Sequence, residues 1–197
     1  MQNNAGYYGG AVGLRGCDLT AVDTEISDNT ALSGGAVAVW DGDVDIQDSV
    51  LSDNIASVDG GAVYSTAYST SRVSLDLQDT EISGNTGDYG GGMRVNAASV
   101  TQVGGSISDN TASYGGGVYM SGTSYSCDGS SSTASITGNT ASSGGGFNGG
   151  SNTLTVKQCD LGTGSDDNSS DDVYWWTTSY SSYGSSASFT CSGSSCY

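Results

Sequence analysis

Proline and histidine are both absent from this 197-residue chain, and only Arg15, Arg72, Arg94 and Lys157 carry positive charge. Each absence excludes something. Without proline, every backbone N–H is present, which suits strands paired on both sides. Without histidine, the commonest general base and zinc ligand at neutral pH is missing. Four cations against 21 acids give a net charge of −17. Such a chain repels phosphate backbones, so nucleic acid is excluded as a partner. The same charge favours solubility and attracts cations or basic partners. No apolar run approaches the ~20 residues of a membrane-spanning helix, and Met1 is followed directly by polar residues with no leader-like stretch.

What is present is glycine (32 residues) and a great deal of Ser, Thr, Asn and Asp. Without pattern this composition would mean disorder, but the apolar residues return at fixed places. ISDNTALSGGAVAV from Ile26 is followed by LSDNIASVDGGAVY from Leu51, ISGNTGDYGGGMRV from Ile82, ISDNTASYGGGVYM from Ile107 and ITGNTASSGGGFNG from Ile136, with a partial copy, NNAGYYGGAV, from Asn3. Marked by Asn4, Asn29, Asn54, Asn85, Asn110 and Asn139, the copies are spaced by 25, 25, 31, 25 and 29 residues. A period near 25 with strand-like alternation fits one rung of a parallel β-helix, three short strands joined by turns. The longer spacings let out loops around 64–71 and 121–132.

The expected fold is therefore all-β, a parallel β-helix (β-solenoid) of about six rungs over residues 1–161, with residues 162–197 as an irregular C-terminal cap. The column Ile26, Leu51, Ile82, Ile107, Ile136, closing with Leu161, lines the core. After the glycines, Ala11, Ala36, Ala62, Met93, Val118 and Phe147 form an inward column and Val12, Val37, Val63, Arg94, Tyr119 and Asn148 an outward one. In DVDIQD (43–48) and SLDLQD (74–79), Val44, Ile46, Leu75 and Leu77 point inward. Glycine makes the sharp turn, and asparagine tolerates left-handed geometry. The asparagines also stack into a ladder of side-chain amides. Trp175, Trp176 or Phe189 covers the last rung. The chain opens inside a repeat, which points to a longer precursor or to a second unit stacked on that end, so self-association through an uncapped N-terminal rung is an expected partnership.

Five cysteines leave one over. Cys191 and Cys196 in CSGSSC are close enough to close a disulfide loop. Cys127 and Cys159 lie about one repeat apart and form a second candidate pair, leaving Cys17.

These motifs resemble the polymorphic outer membrane protein repeats of chlamydiae, whose hallmarks are GGA followed by an aliphatic residue, and Phe-x-x-Asn. GGAV stands at 9–12, 34–37 and 60–63, loosening to GGM, GGV and GGF later. The Phe position holds Ile26, Leu51, Ile82, Ile107 and Ile136, each three residues before its Asn. The similarity covers roughly residues 3–161. It implies a right-handed parallel β-helix on a secreted or cell-surface protein, commonly adhesive.

Candidate chemistry is sparse. Asp23, Asp48 and Asp79, with Glu25 and Glu81, face outward on successive rungs, and oxygen-only ligands would select calcium. A hydrated acidic face is the competing reading, and apart from calcium no cofactor is expected. A second acidic column, Asp28, Asp53 and Asp109, is interrupted by Gly84 and Gly138. DGDVD (41–45) begins like a calcium loop, but Ile46 and Ser52 occupy its glycine and acid positions. Without histidine and with its cations scattered, the chain is expected not to be an enzyme. Asp166-Asp167 and Asp171-Asp172 are neighbours whose side chains would point apart on a strand. Asn168-Ser169-Ser170 is an N-glycosylation triplet. Tyr7, Tyr8, Tyr89 and Tyr114 precede the glycines of their rungs, where they can stack on sugars, meet a surface partner or pack against the turn. The expected function is a non-enzymatic extracellular or cell-surface structural and adhesive module, able to build a fibre by end-to-end stacking. The alternative is a β-helix that binds or cleaves polysaccharide.

Overall fold

In the computed structural model, residues 6–68, 73–150, 152–162, 167–175, 178–183, 191–192 and 195–196 are described. The chain is all-β, a solenoid of about six turns of parallel strands, with no helix among the described residues. Three sheets run along its axis. The first has nine strands and begins Val12–Arg15, Val37–Trp40, Val63–Thr66, Met93–Asn96, Val118–Ser121 and Phe147–Gly150. The second has seven, from Leu19–Val22 to Thr178–Tyr183, and the third six, from Glu25–Ser27 to Cys159–Asp160. Short segments such as Thr30–Ser33 and Ile55–Asp59 pair beyond the third sheet and lead into the glycines.

Each rung turns at corners that need φ > 0. The residue three before the core aliphatic is left-handed in Asp23, Asp48, Asp79, Gly104 and Gln158, with φ from 46 to 69°. The residue before the ladder asparagine is left-handed in Asp28, Asp53, Gly84, Asp109 and Gly138, with φ from 55 to 66°. Aspartate is among the few non-glycine residues that visit this region readily. The turn thus accounts for the aspartates of both columns and for the glycines that interrupt one of them. The asparagines themselves are not left-handed, so their role lies in hydrogen bonding.

The two leading glycines answer to different constraints. The first, in Gly9, Gly34, Gly60, Gly90, Gly115 and Gly144, has φ from 58 to 76°. The second, in Gly10, Gly35, Gly61, Gly91, Gly116 and Gly145, would place a Cβ 2.0 to 2.6 Å from a carbonyl oxygen of the next rung. No side chain fits there.

Inside, Ile26, Leu51, Ile82, Ile107, Ile136 and Leu161 are buried, as are Val44, Ile46, Leu75 and Leu77. The register of the first sheet corrects one expectation. Val12 pairs with Val37, Val37 with Val63, Val63 with Met93, Met93 with Val118 and Val118 with Phe147. Val37 and Val63 are thus core residues and not outward ones. The outward column is Gly13, Ala38, Tyr64, Arg94, Tyr119 and Asn148.

Beside the core runs the asparagine ladder. Asn85 donates both its backbone N–H and its Nδ2 to Asn110 Oδ1, each at 2.9 Å. Asn110 Nδ2 donates in turn to Asn139 Oδ1 and to the Ile82 carbonyl, each at 2.9 Å. Asn29, Asn54 and Asn139 repeat this donation, and Asn168 ends the series. Asn4 lies outside the described residues. Asn168 is buried and fully engaged, with Nδ2 donating to the Ile136 and Leu161 carbonyls and to Asp172 Oδ1. Its triplet is therefore a rung of the ladder and not an accessible glycosylation site.

Parallel stacking continues past Leu161, because Val173–Trp175 pairs with the first sheet and Thr178–Tyr183 with the second. The change at residue 161 is one of composition, with a ladder asparagine and two further strands beyond it. A short antiparallel pairing sets the Cys191 backbone opposite Cys196. Their side chains, like Trp175, Trp176 and Phe189 as capping groups, lie outside the described residues. Cys127 in the second sheet and Cys159 in the third, one rung on, form a buried disulfide, and Cys17 is free and exposed. Nearby, Tyr125 donates to Gln102 Oε1 at 2.9 Å in the core.

Candidate binding surface on the outward face of the first sheet

Two columns meet on the outside of the first sheet. One is the outward column named above. The other is the residue before each glycine turn, where bridges link Tyr8 to Ser33, Asp59 to Tyr89 and Tyr89 to Tyr114. Tyr8, Trp40, Tyr64, Tyr89, Tyr114 and Tyr119 each lie on a strand or bridge whose register the core fixes, so these rings fall at rung spacing.

At the early rungs, Tyr8 stands edge-on to Trp40 with centroids 4.6 Å apart, and Trp40 is edge-on to Tyr64 at 5.7 Å. Ala38, Trp40 and Tyr64 form a small apolar cluster separate from the core. Farther along, Tyr89 and Tyr114 stack at 5.2 Å with planes 14° apart, and Tyr119 meets Tyr89 edge-on at 5.2 Å. The Arg94 guanidinium lies 5.1 Å from the Tyr89 ring centre and 5.4 Å from that of Tyr119, and it pairs with Asp59. Asp59 also accepts a hydrogen bond from Ser33 Oγ at 3.2 Å. Arg94 thus holds two rings through cation–π contact while neutralising the carboxylate beneath them. Burial pushes the Tyr64 and Tyr119 phenols up, with Arg94 opposing in both cases. These phenols stay neutral at physiological pH and remain hydrogen-bond donors.

The same surface opens into a cleft of about 610 Å³ lined by Tyr8, Gly13, Leu14, Arg15, Trp40 and Tyr68. The Tyr68 N–H donates to Asp41 Oδ1 at 2.8 Å, which anchors the tyrosine at the start of the let-out loop.

Most of one rung, all but its second-sheet strand, runs from the corner at Asp48 through Val50–Ser52, the ladder residue Asn54, Ile55–Asp59 and the Gly60-Gly61 turn to Val63–Thr66. Residues 48–66 match the Chlamydia polymorphic membrane protein repeat. The chain carries that repeat within a parallel β-solenoid of about six turns. No curated protein and no solved structure matches the chain. Within the matched residues, Asp59 and Tyr64 belong to the outward columns and flank the Gly60-Gly61 turn.

The sequence-derived candidates fall out unevenly. Tyr8, Tyr89 and Tyr114 come together with Trp40, Tyr64, Arg94 and Tyr119, while Tyr7 is exposed, with its ring centre 6.2 Å from that of Tyr8. Asp23, Asp48, Asp79, Glu25 and Glu81 all face solvent. Asp79 accepts from Ser132 Oγ, and Glu81 accepts from Ser83 Oγ at 2.8 Å. Among the described residues no three acidic, Cys or His side chains gather closely enough to hold a metal ion. Asp171 is half-buried and Asp172 buried. Burial pushes the Asp172 carboxyl up to about 7, with the Asn168 hydrogen bond opposing and Asp167 and Asp171 adding to the rise. Among the described residues no helix is long and apolar enough to cross a membrane.

Proposed function

We propose that this chain is a non-enzymatic module of a bacterial surface protein that adheres through the outward aromatic face of its first sheet. The polymorphic membrane protein repeat supports the surface location. The observation that carries the adhesive reading is the run of rings from Tyr8 and Trp40 through Tyr64 to Tyr89, Tyr114 and Tyr119 along one face. Tyrosine and tryptophan give large, rigid contact area at low entropic cost and dominate binding hot spots. Here the core and an ion pair hold them in place before any partner arrives. Elsewhere the outer surface is mainly Ser, Thr and acid.

The test is binding of the fluorescently labelled chain to cultured epithelial cells, read by flow cytometry. Replacing Tyr89 and Tyr114 together by serine should abolish binding while circular dichroism stays unchanged. Undiminished binding by that folded variant would sink the proposal.

A further inference from the structure

We infer that the cleft between Tyr8, Trp40 and Tyr68 binds a saccharide bearing a carboxylate, with Arg15 as its charge partner; this deepens the adhesive reading above and rests on it. Its volume, about 610 Å³, falls within the ~300–1,000 Å³ of small-ligand sites. The floor is open because the outward column is smallest here, Gly13 beside Ala38, before it fills with Tyr64 and Arg94. Tyr8 is 51% exposed and Tyr68 70% exposed, so both present ring surface. Trp40 is 9% exposed and serves as the wall that fixes Tyr8. Pyranose rings carry C–H faces that pack on such aromatics, and their hydroxyls suit a rim of phenols.

Charge then chooses the class of sugar. In a chain of net charge −17, the one charged side chain among the described residues lining this cleft is a cation, Arg15. The other described cations are committed, Arg94 to Asp59 and Lys157 to Asp128, whereas Arg15 is exposed and makes no ion pair among the described residues. A guanidinium pairs with a carboxylate in a bidentate fork. Acids beyond the ~8 Å screening length of physiological salt are damped, and Asp41, at the margin of the cleft, is engaged by the Tyr68 N–H.

The test is calorimetric titration of the full chain at about 0.15 M salt with tetragalacturonate and, as neutral probe, xylotetraose. Tetragalacturonate should bind at least about ten-fold more tightly. Arg15→Gln should erase that preference while leaving xylotetraose binding unchanged, and Tyr68→Ala should weaken both ligands. Both side chains are exposed, so these variants keep the fold. Equal affinity for the two probes, an intact preference in Arg15→Gln, or no binding of either overturns the inference. Cell binding that persists and depends on Tyr89 and Tyr114 while no saccharide binds would refute the cleft and leave the adhesive face standing. Saccharide binding without cell binding would do the reverse.

Discussion

Removing one amide from the middle of the asparagine ladder, Asn110→Ala, should destabilise the solenoid by about 2–5 kcal/mol. The Asn110 side chain accepts two hydrogen bonds from Asn85 and donates to Ile82 O and Asn139 Oδ1, all at 2.9 Å and all shielded from water. Truncation leaves the Asn85 backbone N–H buried without its acceptor, at a cost of about 1–3 kcal/mol. The remaining lost bonds add about 0.5–1.5 kcal/mol each, discounted because Asn85 Nδ2 keeps the Leu51 and Ser83 carbonyls. Urea unfolding followed by far-ultraviolet circular dichroism measures the shift. Two controls separate the ladder from the turn. Ser108→Ala, at the end of the strand Gly105–Ser108 that leads to Asn110, should change the stability by less than about 0.5 kcal/mol. Asn110→Gly should be no milder than Asn110→Ala, because Asn110 is not left-handed. A loss below about 1 kcal/mol for Asn110→Ala, or rescue by glycine, would refute the ladder as a stabilising element.

Three further outcomes follow from the same geometry. Gly116→Ala should prevent close stacking and cost several kcal/mol, because its Cβ would stand 2.6 Å from Gly145 O and 2.8 Å from Thr140 N and O; a thermal melt within about 2 °C of wild type would contradict it. Ser65→Val should stabilise the fold by about 1 kcal/mol, since Ser65 Oγ is buried in the core without a hydrogen-bond partner where Val39 and Val95 flank it in register. Asp172, raised to about 7 in the fold from an ordinary value near 3.9, favours folding fully only below about pH 4. That contribution is lost as pH rises through 7, so Asp172→Asn should flatten the decline in melting temperature over that window; a variant with wild-type pH dependence would exclude this origin.

Much of the fold was legible in the sequence. Period and alternation together place Ile26, Leu51, Ile82, Ile107 and Ile136 in one buried column, because only an inward position tolerates no polar residue in five rungs. The spacing that made Cys127 and Cys159 candidate partners reflects the same stacking. The outward face was harder to read, for a specific reason. Three rungs read GGA and three read GGG, and counting from the last glycine shifts Met93, Val118 and Phe147 against Ala11, Ala36 and Ala62. Counted from the first glycine, whose left-handed φ fixes the corner, the columns fall into register and Tyr64, Arg94 and Tyr119 line up. Trp40 and Tyr68 carried no repeat signal, since their meeting depends on where a corner and a let-out loop return. The aspartate columns carry two readings in the sequence, because aspartate at a repeated left-handed corner makes the same column that a set of ligands would, and the dihedrals supply the turn.

The ladder also has a direction. From Asn29 to Asn139 each residue gives its side-chain donor to the next rung, and from Asn54 onward each offers Oδ1 to the one before. Amide dipoles aligned head to tail add along the axis as peptide dipoles add along a helix, and each bond polarises its neighbour. The positive end emerges at Asn168, and there Nδ2 meets the Asp172 carboxyl at 3.0 Å. A stacked column of side chains thus carries a macrodipole of its own, and an acid stands where an N-cap would.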